Sequence, residues 1–245
     1  MAIRYAKRGP LRFASHRVLQ RAFERAVRRA QMPVAFSAGF TPHPRLSYLG
    51  AAPTGAASEA EYLTIRLSER RDPAALAQAL DAALPRDLRV LAAVEWPGDD
   101  LPGRLEASAW RLVFADLPGP VLDAAVDRLL AAASWVVTRG DGIPGAARDP
   151  ARGPAKPARL VEVRPAIVDL TRQAAAVDGS HGYPDTCAIL SVILRHSTPA
   201  VRPDDLTTAL AEASDGAVPS PLEVTRLSQG MLQKLDGVTT VVNPF

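Results

Sequence analysis

The residues best suited to chemistry lie within the first fifty positions. His16 stands beside Ser15 at the head of an arginine-rich run, and His43 sits in Thr41-Pro42-His43-Pro44-Arg45, where two prolines fix the backbone on either side. With them come Arg12, Arg17, Arg21, Arg25, Arg28, Arg29 and Arg45, and the aromatics Phe40 and Tyr48. Guanidiniums and a helix N-terminus hold phosphate oxygens, and aromatic rings stack on bases. Together these types point to a polyanionic ligand, RNA first among them. Each residue also has a purely structural reading. His16 serves as well to cap its helix and His43 to stiffen a loop, while Phe36, Phe40 and Tyr48 serve as core.

Charge supports the polyanion. From Met1 to Gly50 there are ten basic residues and a single acid, Glu24, a net of +9; the rest of the chain holds 19 basic and 25 acidic residues, a net of −6. A basic block on an otherwise acidic protein is an electrostatic footprint. Other chemistries find no foothold. There is no phosphate-binding glycine loop of the nucleotide-binding kinds, no zinc-protease motif and no serine nucleophile elbow. Cys187 is the single cysteine, so the chain can make no internal disulfide, all-thiolate zinc site or cysteine-ligated iron–sulfur cluster. Cys187 lies in an apolar run and reads as buried packing. His181 and His196 stand alone and read as structural. No cofactor or metal is expected. With no apolar run of ~18 residues and no apolar leader, a cytoplasmic protein without a membrane partner is expected.

The elements that must position these residues follow from periodicity. Residues 2–14 read as a strand broken at Gly9-Pro10. Ser15 then occupies an N-cap position before an uninterrupted run from His16 to Met32, ended by Pro33. In that run Leu19, Ala22, Phe23, Ala26, Val27 and Ala30 share one helical face, and Arg17, Arg21, Arg25, Arg28 and Arg29 share the other. A strand at Val34–Phe36, a shaped loop in which Gly39 supplies a turn, and an extended stretch through Tyr48 come next. Leu63, Ile65 and Leu67 alternate as a strand, Asp72-Pro73 opens a helix striped by Leu76, Leu80 and Leu84, and residues 88–96 form another strand. This order is a ferredoxin-like unit. After a linker at 97–108, strands at Ala109–Phe114, Trp135–Thr138, Leu160–Leu170 and Cys187–Leu194 alternate with helices at Val121–Ala133 and near Asp204–Glu212, around a Gly/Pro/Arg-rich loop at 140–159. The expected architecture is α+β, with two tandem ferredoxin-like (βαββαβ) halves divided as 1–97 and 98–245.

Three segments carry a resemblance: Arg12–Ala30, Pro33–Tyr48 and Gly55–Leu63. Together they resemble the radical-SAM-linked family of uncharacterised domains, and Val161–Ile167 resembles that family's second-half strand. The resemblance implies a radical SAM protein as partner, which supplies the iron–sulfur chemistry that one cysteine cannot, and a ribonuclease of the E/G type as neighbour. Relatives commonly carry an acid two positions after the Ser-His pair, where this chain has Val18. Any role of that acid in orienting His16 is therefore in question. In fold alone, tandem halves with a His-bearing first helix also resemble CRISPR repeat-RNA-processing endonucleases.

The expected function is an RNA-binding accessory subunit for a radical SAM enzyme that modifies tRNA or rRNA. The arginines of the helix would contact phosphates, with Arg12, His16, His43, Arg45 and Tyr48 lining the pocket, Phe40 as an RNA-binding aromatic and Arg164 adding a contact from the second half. Two alternatives stand beside it. One is a metal-independent endoribonuclease in which His16 or His43 is the general base. The other is a protein-interaction adaptor whose basic helix docks on an acidic partner.

Overall fold

The computed structural model describes residues 1–98, 100–139, 158–173 and 187–245. The Gly/Pro/Arg-rich loop falls outside them up to position 157, as does His181. By packing, the described chain forms two compact units, Met1–Arg111 with Glu223–Phe245, and Leu112–Leu222. Both mix helices and strands, as expected for an α+β chain.

The first unit opens with β1 (Ala2–Lys7), a 3-10 turn (Gly9–Phe13) and α1 (His16–Arg29). Pro10 and the positive φ of Gly9 turn the chain out of the sheet, so the extended segment ends at Lys7 and not at residue 14. Ser15 is the N-cap of α1 and accepts from Val18 N at 2.9 Å through its carbonyl, with no bond from its side chain. The helix stops three residues short of Met32. Gln31 takes φ 50°, Gln31 N donates to Arg28 O (3.1 Å) and Met32 N to Val27 O (3.1 Å). That is the paired closure by which a left-handed residue satisfies the last carbonyls of a helix.

Next come β2 (Leu46–Leu49), β3 (Ala57–Ile65), α2 (Pro73–Ala83) and β4 (Leu88–Val94). Asp72 caps α2 with its side chain, accepting from Ala74 N at 3.2 Å and Ala75 N at 3.1 Å. The strand expected at Val34–Phe36 is reduced to two isolated bridges, Val34 to Leu67 and Phe36 to Pro44. The expected linker is packed: it holds a 3-10 turn at Leu101–Arg104 whose Leu101 is buried.

Within this unit the strands lie β4-β1-β3, all antiparallel, and β3 carries two neighbours on its far edge. β2 pairs antiparallel with Tyr62–Ile65, while β10 (Glu223–Leu235) pairs parallel with Ala57 and Ser58. β11 (Val238–Val242) folds back on β10 through the two-residue turn Asp236-Gly237. One face of the sheet is covered by α1 and α2 around Ile3, Tyr5, Phe23, Val27, Leu63, Ile65, Leu80 and Leu88. Tyr5 and Phe23 meet edge to face at 4.7 Å between centroids. Full burial of such a ring or Leu side chain contributes about 1.5–3 kcal/mol, so the apolar face of α1 anchors the helix and fixes which side the arginines occupy.

β5 (Ala107–Phe114) leads out of the first unit into the second. The second unit continues with α3 (Gly119–Ala131), β6 (Val136–Arg139), β7 (Arg159–Glu162), β8 (Ile167–Gln173), β9 (Ala188–Arg195) and α4 (Pro203–Ala213). Its strands order as β5-β9-β8, with β6 and β7 as a separate antiparallel pair. The single strand expected at Leu160–Leu170 is divided, because Pro165 lies in a 3-10 turn (Arg164–Ala166) that separates β7 from β8. Cys187 is buried immediately before β9. Arg139 donates to Asp205, which also accepts from Arg202 N at 2.7 Å and so fastens the start of α4. No helix among the described residues is long and apolar enough to cross a membrane.

Candidate nucleic-acid interface

Because α1 buries Leu19, Ala22, Phe23, Ala26 and Val27, the opposite side of the helix faces outward. Arg17, Arg21, Arg25, Arg28 and Arg29 are all exposed there. At ~1.5 Å per residue they form a stripe of about 18 Å. Among the described residues none of the five forms an ion pair. Arg29 alone reaches protein, at 3.5 Å from the Ala83 carbonyl.

The head of the stripe is built from two side chains the sequence singled out. His16 is exposed at the first helical position, and its ring stands edge to face with Tyr48 of β2 at 5.1 Å. Tyr48 in turn touches Phe23 at 5.9 Å, so it is half core and half site. Its hydroxyl is buried without a hydrogen-bond partner. Burial, followed by the charge of Glu24, holds that phenol well above its ordinary range.

Arg12 lies in the 3-10 turn just before α1, with its guanidinium 4.7 Å over the ring of Phe13, and the Nε is buried without a partner. Its carbonyl accepts from Gly55 N at 2.8 Å, which ties the turn to the segment leading into β3. The loop after α1 is closed at its neck. Ser37 N donates to the His43 carbonyl at 2.8 Å, and His43 N donates to Ser37 Oγ at 3.0 Å. Between them Gly39 takes φ 120°, the left-handed turn expected of it, and Phe40 projects fully exposed. His43 and Arg45 are exposed at the base, where Arg45 N bonds the Ala35 carbonyl at 2.9 Å.

Arg164 belongs to the second unit and is occupied there. Its Nε and Nη2 donate to the Leu130 carbonyl at 3.3 and 3.2 Å, satisfying the C-terminal end of α3. His196, exposed just after β9, is also in the second unit. Among the described residues no group of three or more His, Cys, Asp or Glu is arranged to hold a metal ion.

With that geometry in place, the sequence profile described as "Uncharacterized protein conserved in bacteria (DUF2344)" matches residues 1–203. The chain belongs to the DUF2344 family. No curated protein matches the chain. The DUF2344 match begins at β1 and runs to the first residue of α4, so it takes in every site residue named above.

Two features of this DUF2344 protein escaped the sequence reading. Phe13 is 60% exposed and Phe36 50%, so both join Phe40 at the surface. A signal was present for each: Phe13 lies between Gly9-Pro10 and Ser15, and Phe36 beside Ser37, turn-forming residues that break the periodicity a core position needs. The second feature is a buried ionic cluster of Lys7, Glu61 and Arg226 inside the first unit. Arg226 donates from Nη1 to the Gly50 carbonyl (2.6 Å), from Nε to Ser58 Oγ (3.2 Å) and from Nη2 to Glu61. Glu61 accepts also from Ala52 N at 3.3 Å, and Lys7 Nζ donates to the Ala52 and Pro53 carbonyls at 3.4 Å. Burial lowers the pKa of Lys7, partly offset by Glu61. The cluster is closed within the sheet and holds the fold together, whereas the exposed charge lies on α1.

Proposed function

We propose that this protein is an RNA-binding accessory subunit, working in the cytoplasm with a radical SAM enzyme that modifies tRNA or rRNA. The observation that carries the reading is the arginine face of α1, where five exposed guanidiniums have no carboxylate partner among the described residues. Such a face retains its full charge for phosphates and gains from release of their counterions. The radical SAM partner, and a ribonuclease of the E/G type beside it, rest on the resemblance of Arg12–Ala30, Pro33–Tyr48 and Gly55–Leu63. A single cysteine fits a subunit that leaves cluster chemistry to its partner.

The same reading takes the chain as two tandem ferredoxin-like repeats, divided in sequence near 97/98. In support, the first repeat has the order β1-α1-β2-β3-α2-β4, with strands lying β4-β1-β3-β2. The second follows as β5-α3-β8-β9-α4-β10, with β6 and β7 inserted after α3.

The test is fluorescence-anisotropy titration with total tRNA over a series of salt concentrations. Five phosphate contacts predict that log K falls against log salt with a slope of about −3 to −5, according to strandedness. Arg21→Glu/Arg25→Glu/Arg28→Glu should collapse binding, and absent binding by the wild type at low salt defeats the proposal in favour of a protein adaptor.

A further inference from the structure

Resting on the RNA reading above, we infer that the ligand is unpaired RNA, held by base stacking on Phe40 and Phe13. Four exposed large apolar side chains, Phe13, Val18, Phe36 and Phe40, lie within the segment of net charge +9. Leaving a phenylalanine in water forgoes about 1.5–3 kcal/mol of burial. Phe40 is exposed to 109% at the tip of a loop whose neck is closed by the two Ser37–His43 hydrogen bonds. The loop therefore presents the ring on a fixed base. Phe13 carries the Arg12 guanidinium against one face at 4.7 Å, and a base can take the other.

An apolar protein surface laid over these rings would have to strip water from the neighbouring guanidiniums. A single strand satisfies both kinds of group, phosphates on the arginines and base faces on the rings. A duplex cannot, because its bases are already stacked on one another and its grooves hide their faces. Tyr48 of β2, the strand that follows the loop, meets His16 at the head of α1, and Phe13 lies in the turn just before that helix.

The experiment compares a fluorescein-labelled oligoadenylate with an RNA duplex of equal length, first at low salt and then over a series of salt concentrations. The proteins are wild type, Phe13→Ala, Phe40→Ala and Phe40→Trp. Tighter wild-type binding to the single strand, weakened roughly tenfold by either alanine and retained by tryptophan, supports the inference. The salt slope should not change in these variants, because no charge is removed. Equal affinity for single strand and duplex, or alanine variants that bind as wild type does, overturns unpaired RNA while leaving the RNA reading intact. No binding to either probe overturns both. The rings are exposed, so the variants are expected to fold, and circular dichroism checks it.

Discussion

Arg226 and Glu61 form an ion pair within the first unit although 165 residues separate them, and their side chains are only 3% and 2% exposed. Each guanidinium nitrogen donates once, to Gly50, Ser58 and Glu61, and the ring of Trp110 lies 5.4 Å from its centre. Removing one member of such a pair leaves the other charge buried. Glu61→Leu and Arg226→Met should each destabilise by about 3–5 kcal/mol, while the double variant loses much less than their sum. A double-mutant cycle by urea denaturation measures the coupling, and additive losses would contradict the pairing.

Gly50 faces the same cluster. It takes φ 55°, and a Cβ there would stand 2.0 Å from Gln229 Nε2. Gly50→Ala should therefore lose stability twice over, about 1–2 kcal/mol from the left-handed backbone and more from the overlap. Adding Gln229→Ala should recover the overlap component but not the backbone one. Thermal melts of the two variants separate these contributions.

The same substitution should act oppositely at two tyrosines. The Tyr48 hydroxyl is buried without a partner, so Tyr48→Phe is expected to be neutral or to stabilise by up to about 1 kcal/mol. The Tyr62 hydroxyl lies 2.9 Å from both the Gln229 carbonyl and Asn243 Oδ1. Tyr62→Phe should lose about 1–2 kcal/mol. Denaturant midpoints that move the same way in both variants would refute the distinction.

Alkaline pH should expose these phenols. Burial pushes Tyr62 up to about 12 and also raises Tyr5 and Tyr48. A phenol whose folded pKa exceeds its unfolded value of about 10 releases its proton first in the unfolded chain. The unfolded state then binds fewer protons, so stability is intact below pH ~10 and falls as pH rises above it. Lys7, with its lowered pKa, works in the other direction and is common to wild type and variant. Tyr48→Phe should flatten the loss, measured as denaturant midpoint against pH from about 9 to 12.

The arginine stripe sets stability against binding. Arg17, Arg21, Arg25 and Arg29 repeat every four residues, so each neighbouring pair is a like-charge contact that weakens the helix by about 0.2–0.5 kcal/mol. Arg25→Glu converts two of these contacts into attractive ones. It should raise the melting temperature slightly while weakening polyanion binding. A variant that loses both stability and binding would show that Arg25 is structural.

What the sequence made legible was whatever local chemistry decides. The two faces of α1 followed from a period of 3.6, and the start of α2 from Asp72-Pro73. The end of α1 was misplaced because nothing in the residue type of Gln31 announces a left-handed conformation. Val34–Phe36 has the composition of a strand but finds only bridging partners. Arg164, expected as a contact from the second half, also closes the end of α3, an interaction 34 residues away that no local pattern encodes. At the candidate site the arginines stood out by type and spacing, whereas the exposure of Phe13 and Phe36 depends on how the flanking turns leave the sheet. Glu61 was the missed clue, an acid in a strand where only Glu59 and Thr64 are less than fully buried.

The return of β10 and β11 to the first unit sets an order on the birth of the molecule. The second unit, Leu112–Leu222, is contiguous in sequence and is complete before β10 is made. The first unit must wait. At ~5–20 residues per second, Glu61 spends roughly 10–30 s without Arg226, and for that time the edge of β3 at Ala57 and Ser58 has no strand beside it. The first unit is thus completed only after the unit inserted within it, and the window in which it can pair with the wrong strand is fixed by the speed of translation.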